Sequence, residues 1–241
     1  MTAGRPSVRP VPSDQVSVGE LVQEFRVLGF TVIEGVLRLA SCQRTRAFVE
    51  REIGRGPGQR PFGNIHEPQN RYDTPFAVDG LPREILREAC RHPKLAGVLR
   101  GLLSDEASLE ELSALTSYPG AEPQRLHADT DYRPSDALLI SVFVALDDLD
   151  ETMGPLEAVQ QSSRGRGTSE RSLATRMTLA SGDAVLLDST TVHRGGANNS
   201  ADKPRPVFYF SFLDSDGARP QGATYSIIKR PGEVVTLGDF L

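Results

Sequence analysis

The sequence contains no apolar run approaching the roughly 20 residues that a bilayer-spanning helix needs. It has only two cysteines in 241 residues and no excess of positive charge. Each absence excludes something. Without an apolar run, no segment reads as a membrane helix. Cys42 and Cys90 stand far apart in segments that both read as helices, so they predict free thiols in a reducing cytoplasm rather than a disulfide framework. Lysine and arginine number 27 against 32 aspartates and glutamates, a net charge of −5, and the basic footprint of a nucleic-acid binder is missing. Neither repeats nor low-complexity tracts appear. Thr2 to Ser13 carry proline and arginine without an apolar h-region, so residues 1–13 read as a loose arm and not as a secretory signal. Residues 14–241 then fit one domain, with 38% hydrophobic residues to build one core.

Histidine is also scarce, at four residues, and two of the four fall in a telling order. Gln124-Arg125-Leu126-His127-Ala128-Asp129 is followed much later by Thr191-Val192-His193 and then by Arg205. Two imidazoles and one carboxylate on one face of a metal are the ligand set of a non-haem ferrous site, which leaves the opposite face open. In an extended segment, side chains two apart point the same way, so His127 and Asp129 can reach one ion together. His193 must then come from a strand lying beside them. Arg205, twelve positions further on, offers a fixed cation that can grip a carboxylate through two parallel hydrogen bonds. Its structural alternative is a salt bridge to Asp183 or Asp188. The same two aspartates are candidates for orienting a ligand imidazole or, more simply, for stabilising a turn. His92, just before Pro93 at a helix start, reads as structural.

Helices come first along the chain. Ser17 can cap a helix to about Leu28 with an apolar stripe at Leu21, Val22, Phe25 and Leu28, and Gly29 stops it. A strand from Phe30 to Val36 follows, then a helix from Ser41 to about Ile53. Residues 54–80 read as a long loop rich in glycine and proline, a candidate lid whose Asn64, His66, Asn70 and Tyr72 could touch a substrate. Helices are predicted over Pro82 to Arg91 and from Pro93 to about Leu103. From Leu109 the pattern turns to strands: Leu115 to Tyr118, Ala137 to Leu146 (apolar throughout, as in a strand buried on both faces), Leu156 to Val159, Arg176 to Leu179, Ala184 to Leu187 and Val207 to Leu213. Gly195 to Ser200 reads as the turn of a hairpin joining the His193 strand to the Arg205 strand. Tyr132 and Arg133 follow the metal motif and could line the mouth. The expected architecture is mainly β with flanking helices, a double-stranded β-helix or jelly roll with a mouth between its sheets. Two rivals remain on these residues alone. One is a cupin-like metalloenzyme, an isomerase or a dioxygenase without an organic co-substrate, which would have no use for Arg205. The other is a non-catalytic binding module on the same roll, in which a ligand should be missing.

Gln124-x-x-His127-x-Asp129, Gly154-Pro155-Leu156, Gly182-Asp183-Ala184-Val185-Leu186-Leu187-Asp188, His193 and Arg205 together resemble the phytanoyl-CoA dioxygenase family. The resemblance runs from about Leu28 to about Phe212, most of the chain. It implies an iron(II)- and 2-oxoglutarate-dependent oxygenase that consumes dioxygen. It implies His127, Asp129 and His193 as the iron ligands, Arg205 as the partner of the far carboxylate of 2-oxoglutarate, and Gln124 near that co-substrate. Because halogenating relatives lack the carboxylate ligand, the presence of Asp129 implies hydroxylation, desaturation or a related C–H oxidation. The family is broad in substrate, so the molecule oxidised stays open; a small natural product is the expectation over a fatty acyl-CoA.

Overall fold

The computed structural model describes residues 16–54, 70–168, 174–229 and 232–241. Helix α1 (Val18–Leu28) starts where Ser17 accepts from the Glu20 amide while the Glu20 carboxylate accepts from the Ser17 amide, so two of the helix's orphan donors are satisfied at once. Gly29 ends it with φ of 89°, its amide bonded to Phe25 O at 2.8 Å. Strand β1 (Phe30–Ile33), helix α2 (Leu39–Gly54), strand β2 (Arg71–Pro75) and helices α3 (Gly80–Cys90) and α4 (Pro93–Leu102) follow. Then come β3 (Ser108–Ser117), β4 (Leu139–Ala145), β5 (Leu156–Val159), β6 (Ala174–Met177), β7 (Ala184–Asp188), β8 (His193–Gly195) and β9 (Arg205–Leu213).

Among the described residues, nine antiparallel strands form two sheets, a six-stranded one ordered β1-β7-β4-β9-β3-β2 and a three-stranded one ordered β6-β5-β8. The period-two alternation of β9 separates the two sides of the large sheet. Phe208, Phe210 and Phe212 join the main core with Phe25 of α1, Leu86 of α3 and Leu99 of α4. Val207 and Tyr209 face the other way, into the space between the sheets. A second apolar cluster includes Met153, Met177, Val185 and Leu187. The layers are therefore helices, large sheet, interior and small sheet: a jelly roll with helices on one outer face.

The structure departs from the expected elements at three places. Within residues 54–80, β2 pairs in register with β3, Tyr72 opposite Thr116, so five residues of the expected loop, Arg71–Pro75, form an edge strand; Asn64 and His66 lie outside the described residues, as does the arm at residues 1–13. β3 begins at Ser108 and carries a register shift between Leu109 and Glu111, which breaks the apolar alternation that marks a strand. Finally, β8 and β9 are not a hairpin: β8 pairs with β5 and β9 with β3 and β4. The connection crosses between the sheets. It is tied down by Asn198, whose side chain donates to Ser117 O and Lys203 O at 2.9 Å each and whose amide donates to Ala121 O.

The small sheet is held across its strands by charge. Glu157 on β5 faces Arg176 on β6 and Arg194 on β8, with nearest contacts of 2.7 and 2.8 Å. Burial alone would raise the Glu157 carboxyl, and the two guanidinium groups outweigh it, holding the group below its ordinary value of 4.5. A carboxylate depressed in the folded state adds stability that is complete above its unfolded value and is lost as the pH falls through the folded one. Glu157→Gln is therefore expected to lower stability at neutral pH by about 2 kcal/mol, the cost of leaving such groups unsatisfied. It should also flatten the acid limb of stability below pH 4.5. Chemical denaturation of both chains between pH 3 and 7 (a range bracketing the ordinary glutamate pKa) checks this, and superimposable acid limbs would contradict it.

Candidate metal centre

His127 and His193 are brought together by a two-residue bridge: the His127 amide donates to His193 O at 3.0 Å and the His193 amide to His127 O at 2.8 Å. Their rings lie 4.6 Å apart between centroids. Asp129 is placed by its own amide, bonded to Ser189 O at 2.9 Å. Its Oδ1 stands 3.6 Å from His127 Nε2 and 3.7 Å from His193 Nε2. One ligand atom from each of the three residues lies within 4.8 Å of the others, as donors around a single ion must.

The tautomers follow from the neighbours. His127 Nδ1 is 2.8 Å from Arg125 O, and His193 Nδ1 is 2.9 Å from Thr191 O. A carbonyl can only accept, so each Nδ1 carries the proton and each Nε2 presents its lone pair inward. Backbone carbonyls two residues upstream thus do the orienting that the sequence offered to Asp183 or Asp188. Asp183 instead accepts from the amides of Gly35 and Ala180, at 2.9 Å each. Asp188 takes the Thr190 amide and hydroxyl and the Arg164 guanidinium. A neutral pair of imidazoles with one carboxylate suits a divalent iron with several positions left over.

The three residues open onto a cavity of about 490 Å³ between the sheets. Arg205, at the start of β9, lines it and is only 4% exposed. Its Nη2 donates to Ser117 Oγ at 3.0 Å, while Nε and Nη1 have no partner among the described residues. Burial, with Arg71 beside it, pushes the guanidinium down to about 9, so it is charged at neutral pH and lacks an anion among the described residues. Neither Asp183 nor Asp188 supplies one. Orphaned, buried donors of this kind fit a carboxylate ligand. Gln124 stands next to it with Oε1 accepting from the Gly195 amide at 2.7 Å, which leaves the NH₂ end of the amide as a donor. The absence of a side chain at Gly195 makes this grouping possible, since a Cβ there would come within 2.6 Å of Arg71 Nη1, 2.9 Å of Gln124 Oε1 and 3.0 Å of Arg205 Nη2.

Of the described residues expected to touch substrate, none lines this cavity. Tyr72 turns away and meets Tyr118 edge-on at 5.5 Å. Asn70 is a left-handed turn residue, φ 58°, whose carbonyl accepts from the Tyr118 amide. Tyr132 lies in a separate recess with Arg164 and Asp188. The neighbours of Tyr72 in the pleat point the other way, and so Asp73 reaches the interior, together with Glu111. Neither was evident in the sequence, because Asp73 sits in a stretch resembling a loop and Glu111 sits beside Glu110 at the register shift.

A family model described as phytanoyl-CoA dioxygenase (PhyH) matches residues 25–207, most of the chain. Among solved structures, the non-haem α-ketoglutarate-dependent carbocyclase SnoK from nogalamycin biosynthesis is similar, with a TM-score of 0.68, 19% identity, and coverage of 89% of this chain and 91% of that one. The epimerase SnoN in complex with Fe³⁺, α-ketoglutarate and nogalamycin RO gives 0.64 at 20% identity, over 86% and 87%. HygX from Streptomyces hygroscopicus with nickel, 2-oxoglutarate and hygromycin B bound gives 0.62 at 17%, over 92% and 99%. These likenesses are likenesses of fold.

Proposed function

The chain belongs to the phytanoyl-CoA dioxygenase family of iron(II)- and 2-oxoglutarate-dependent oxygenases, and from that premise we propose that it oxidises a small natural-product molecule at a centre held by His127, Asp129 and His193. When bound there, iron with 2-oxoglutarate and dioxygen supplies the oxidising power for hydroxylation, desaturation or a related C–H oxidation. The chain's own part is placement and electrostatics. The two imidazoles, fixed as Nδ1–H tautomers, aim neutral donors at the metal, and Asp129 offsets part of its charge. Arg205 holds the far carboxylate of 2-oxoglutarate away from water, and Gln124 donates alongside. Leu139, Phe143, Leu156 and Val185 keep the wall dry around the reacting carbon, where electrostatic interactions are strengthened.

The observation that carries this reading is Arg205, buried and short of an anion in the same cavity as the three ligands. The likeness to SnoK, SnoN and HygX supports a natural-product scaffold as the substrate. A cavity of about 490 Å³ suits a small molecule rather than a nucleic acid or a membrane. The buried free thiols Cys42 and Cys90 suit the reducing cytoplasm, and no helix among the described residues is long and apolar enough to cross a membrane. Calorimetric titration of 2-oxoglutarate into the nickel(II)-loaded protein is expected to show one site per chain that vanishes with the metal. A screen of natural products for succinate release with iron(II) then finds the substrate. Absence of metal-dependent 2-oxoglutarate binding would overturn the proposal.

A further inference from the structure

On the wall formed by β2, β3 and β9, Asp73 and Glu111 face the same cavity. Tyr209 donates to Asp73 Oδ2 at 2.9 Å, and Ser113 donates to Oδ1. Ser211 and Thr224 donate to the two oxygens of Glu111, each at 2.6 Å. Four hydroxyls thus hold the two carboxylates in fixed positions, and neither forms a salt bridge among the described residues. Burial raises both groups above their ordinary range, the hydroxyls oppose this, and repulsion from Asp73 and Asp129 adds to the rise at Glu111. A pair of buried acids without a cation is costly, and a cationic ligand would offset that cost.

That this cavity takes ligands rests on separate observations, the three-ligand centre and the unpartnered donors of Arg205. With a divalent metal and 2-oxoglutarate in place, Asp129 and Arg205 balance the charges at the centre, Arg71 stands behind Arg205, and Asp73 and Glu111 face the cavity with no ion-pair partner of their own among the described residues. Much of the remaining wall is apolar: Leu115, Leu139, Phe143, Leu149 and Val185. We infer that the substrate is a cationic amine on a largely apolar body, its ammonium group held by Asp73 and Glu111 while the carbon to be oxidised points to the metal centre. The inference rests on the proposed function and names the class of its substrate. Specificity would come from charge-assisted hydrogen bonds, which a neutral amide in place of the amine cannot reproduce.

The test uses the protein loaded with nickel(II) and 2-oxoglutarate, with tryptamine and cyclohexylamine as probes, each against its N-acetyl derivative. Both amines are expected to bind about ten-fold or more tighter than their amides, the difference between a charged and a neutral hydrogen bond. In Asp73→Asn, Glu111→Gln and the double variant, that preference should shrink to about two-fold or less. Melting temperatures identify any variant that fails to fold, and the remaining ones are then read. Equal binding of amine and amide, no amine binding up to about 10 mM, or a preference kept in a folded double variant would overturn the inference. Failure of nickel or 2-oxoglutarate to bind in the first step would strike the proposed function instead, and amine preference can still be read on the metal-free protein.

Discussion

His193→Ala is expected to abolish tight metal binding and, with it, all turnover. The lone pair of His193 Nε2 is one of only three donors in the cluster, and the other two described histidine positions cannot replace it: His127 already contributes, and His92 lies at the start of α4. Loss of a partner outside the ligand set commonly costs about 10–100-fold in metal affinity, so loss of a ligand itself should exceed that. The neighbouring backbone argues that the effect will be local. The bridge to His127 is made by main-chain atoms, which alanine retains, so the roll should fold with its melting temperature nearly unchanged in the absence of metal. Isothermal titration with iron(II) under anaerobic conditions, beside thermal melts of the metal-free chains, measures both. Wild-type turnover in His193→Ala would remove this residue from the centre.

Arg205→Ala is expected to act on the co-substrate and spare the metal. A buried charge pair broken from one side costs about 3–5 kcal/mol, equivalent to a loss of several hundred-fold or more in 2-oxoglutarate affinity. Iron(II) affinity should move little, because Arg205 touches none of the three ligands in the described contacts. The variant relieves Ser117 Oγ of its donor and removes an uncompensated buried cation, so the protein without co-substrate should be no less stable than the parent. The concentration dependence of succinate release, compared for the two chains, gives the answer. An unchanged dependence would make Arg205 a structural residue.

The clustering of His127, Asp129 and His193 beside Arg205 was legible because its information is local and ordered: a His-x-Asp on one segment, a histidine at a strand end and an arginine opening the next strand. The helices were legible for a similar reason, with the Ser17–Glu20 box and Gly29 marking α1 at both ends. Long-range pairing was not. Nothing in Gly195 to Ser200 distinguishes a hairpin from a passage between two sheets, since the turn chemistry is the same in both and only the partners β5, β3 and β4 decide. β2 was hidden because it is short and polar and lies between segments rich in turn formers, and its place at the sheet edge needs no apolar alternation. Missing that strand also reversed the sense of its side chains, so Tyr72 was taken for the residue at the cavity when Asp73 is.

His127 and His193 are each oriented by the carbonyl two residues before them, so their aim does not depend on a neighbouring side chain. A brace made of main chain survives substitution of every surrounding side chain. The walls at Asp73, Glu111, Phe143 and Leu156 are therefore free to drift toward new substrates without re-aiming the imidazoles. Aim and selectivity thus rest on separate supports, main chain for the two imidazoles and side chains for the wall.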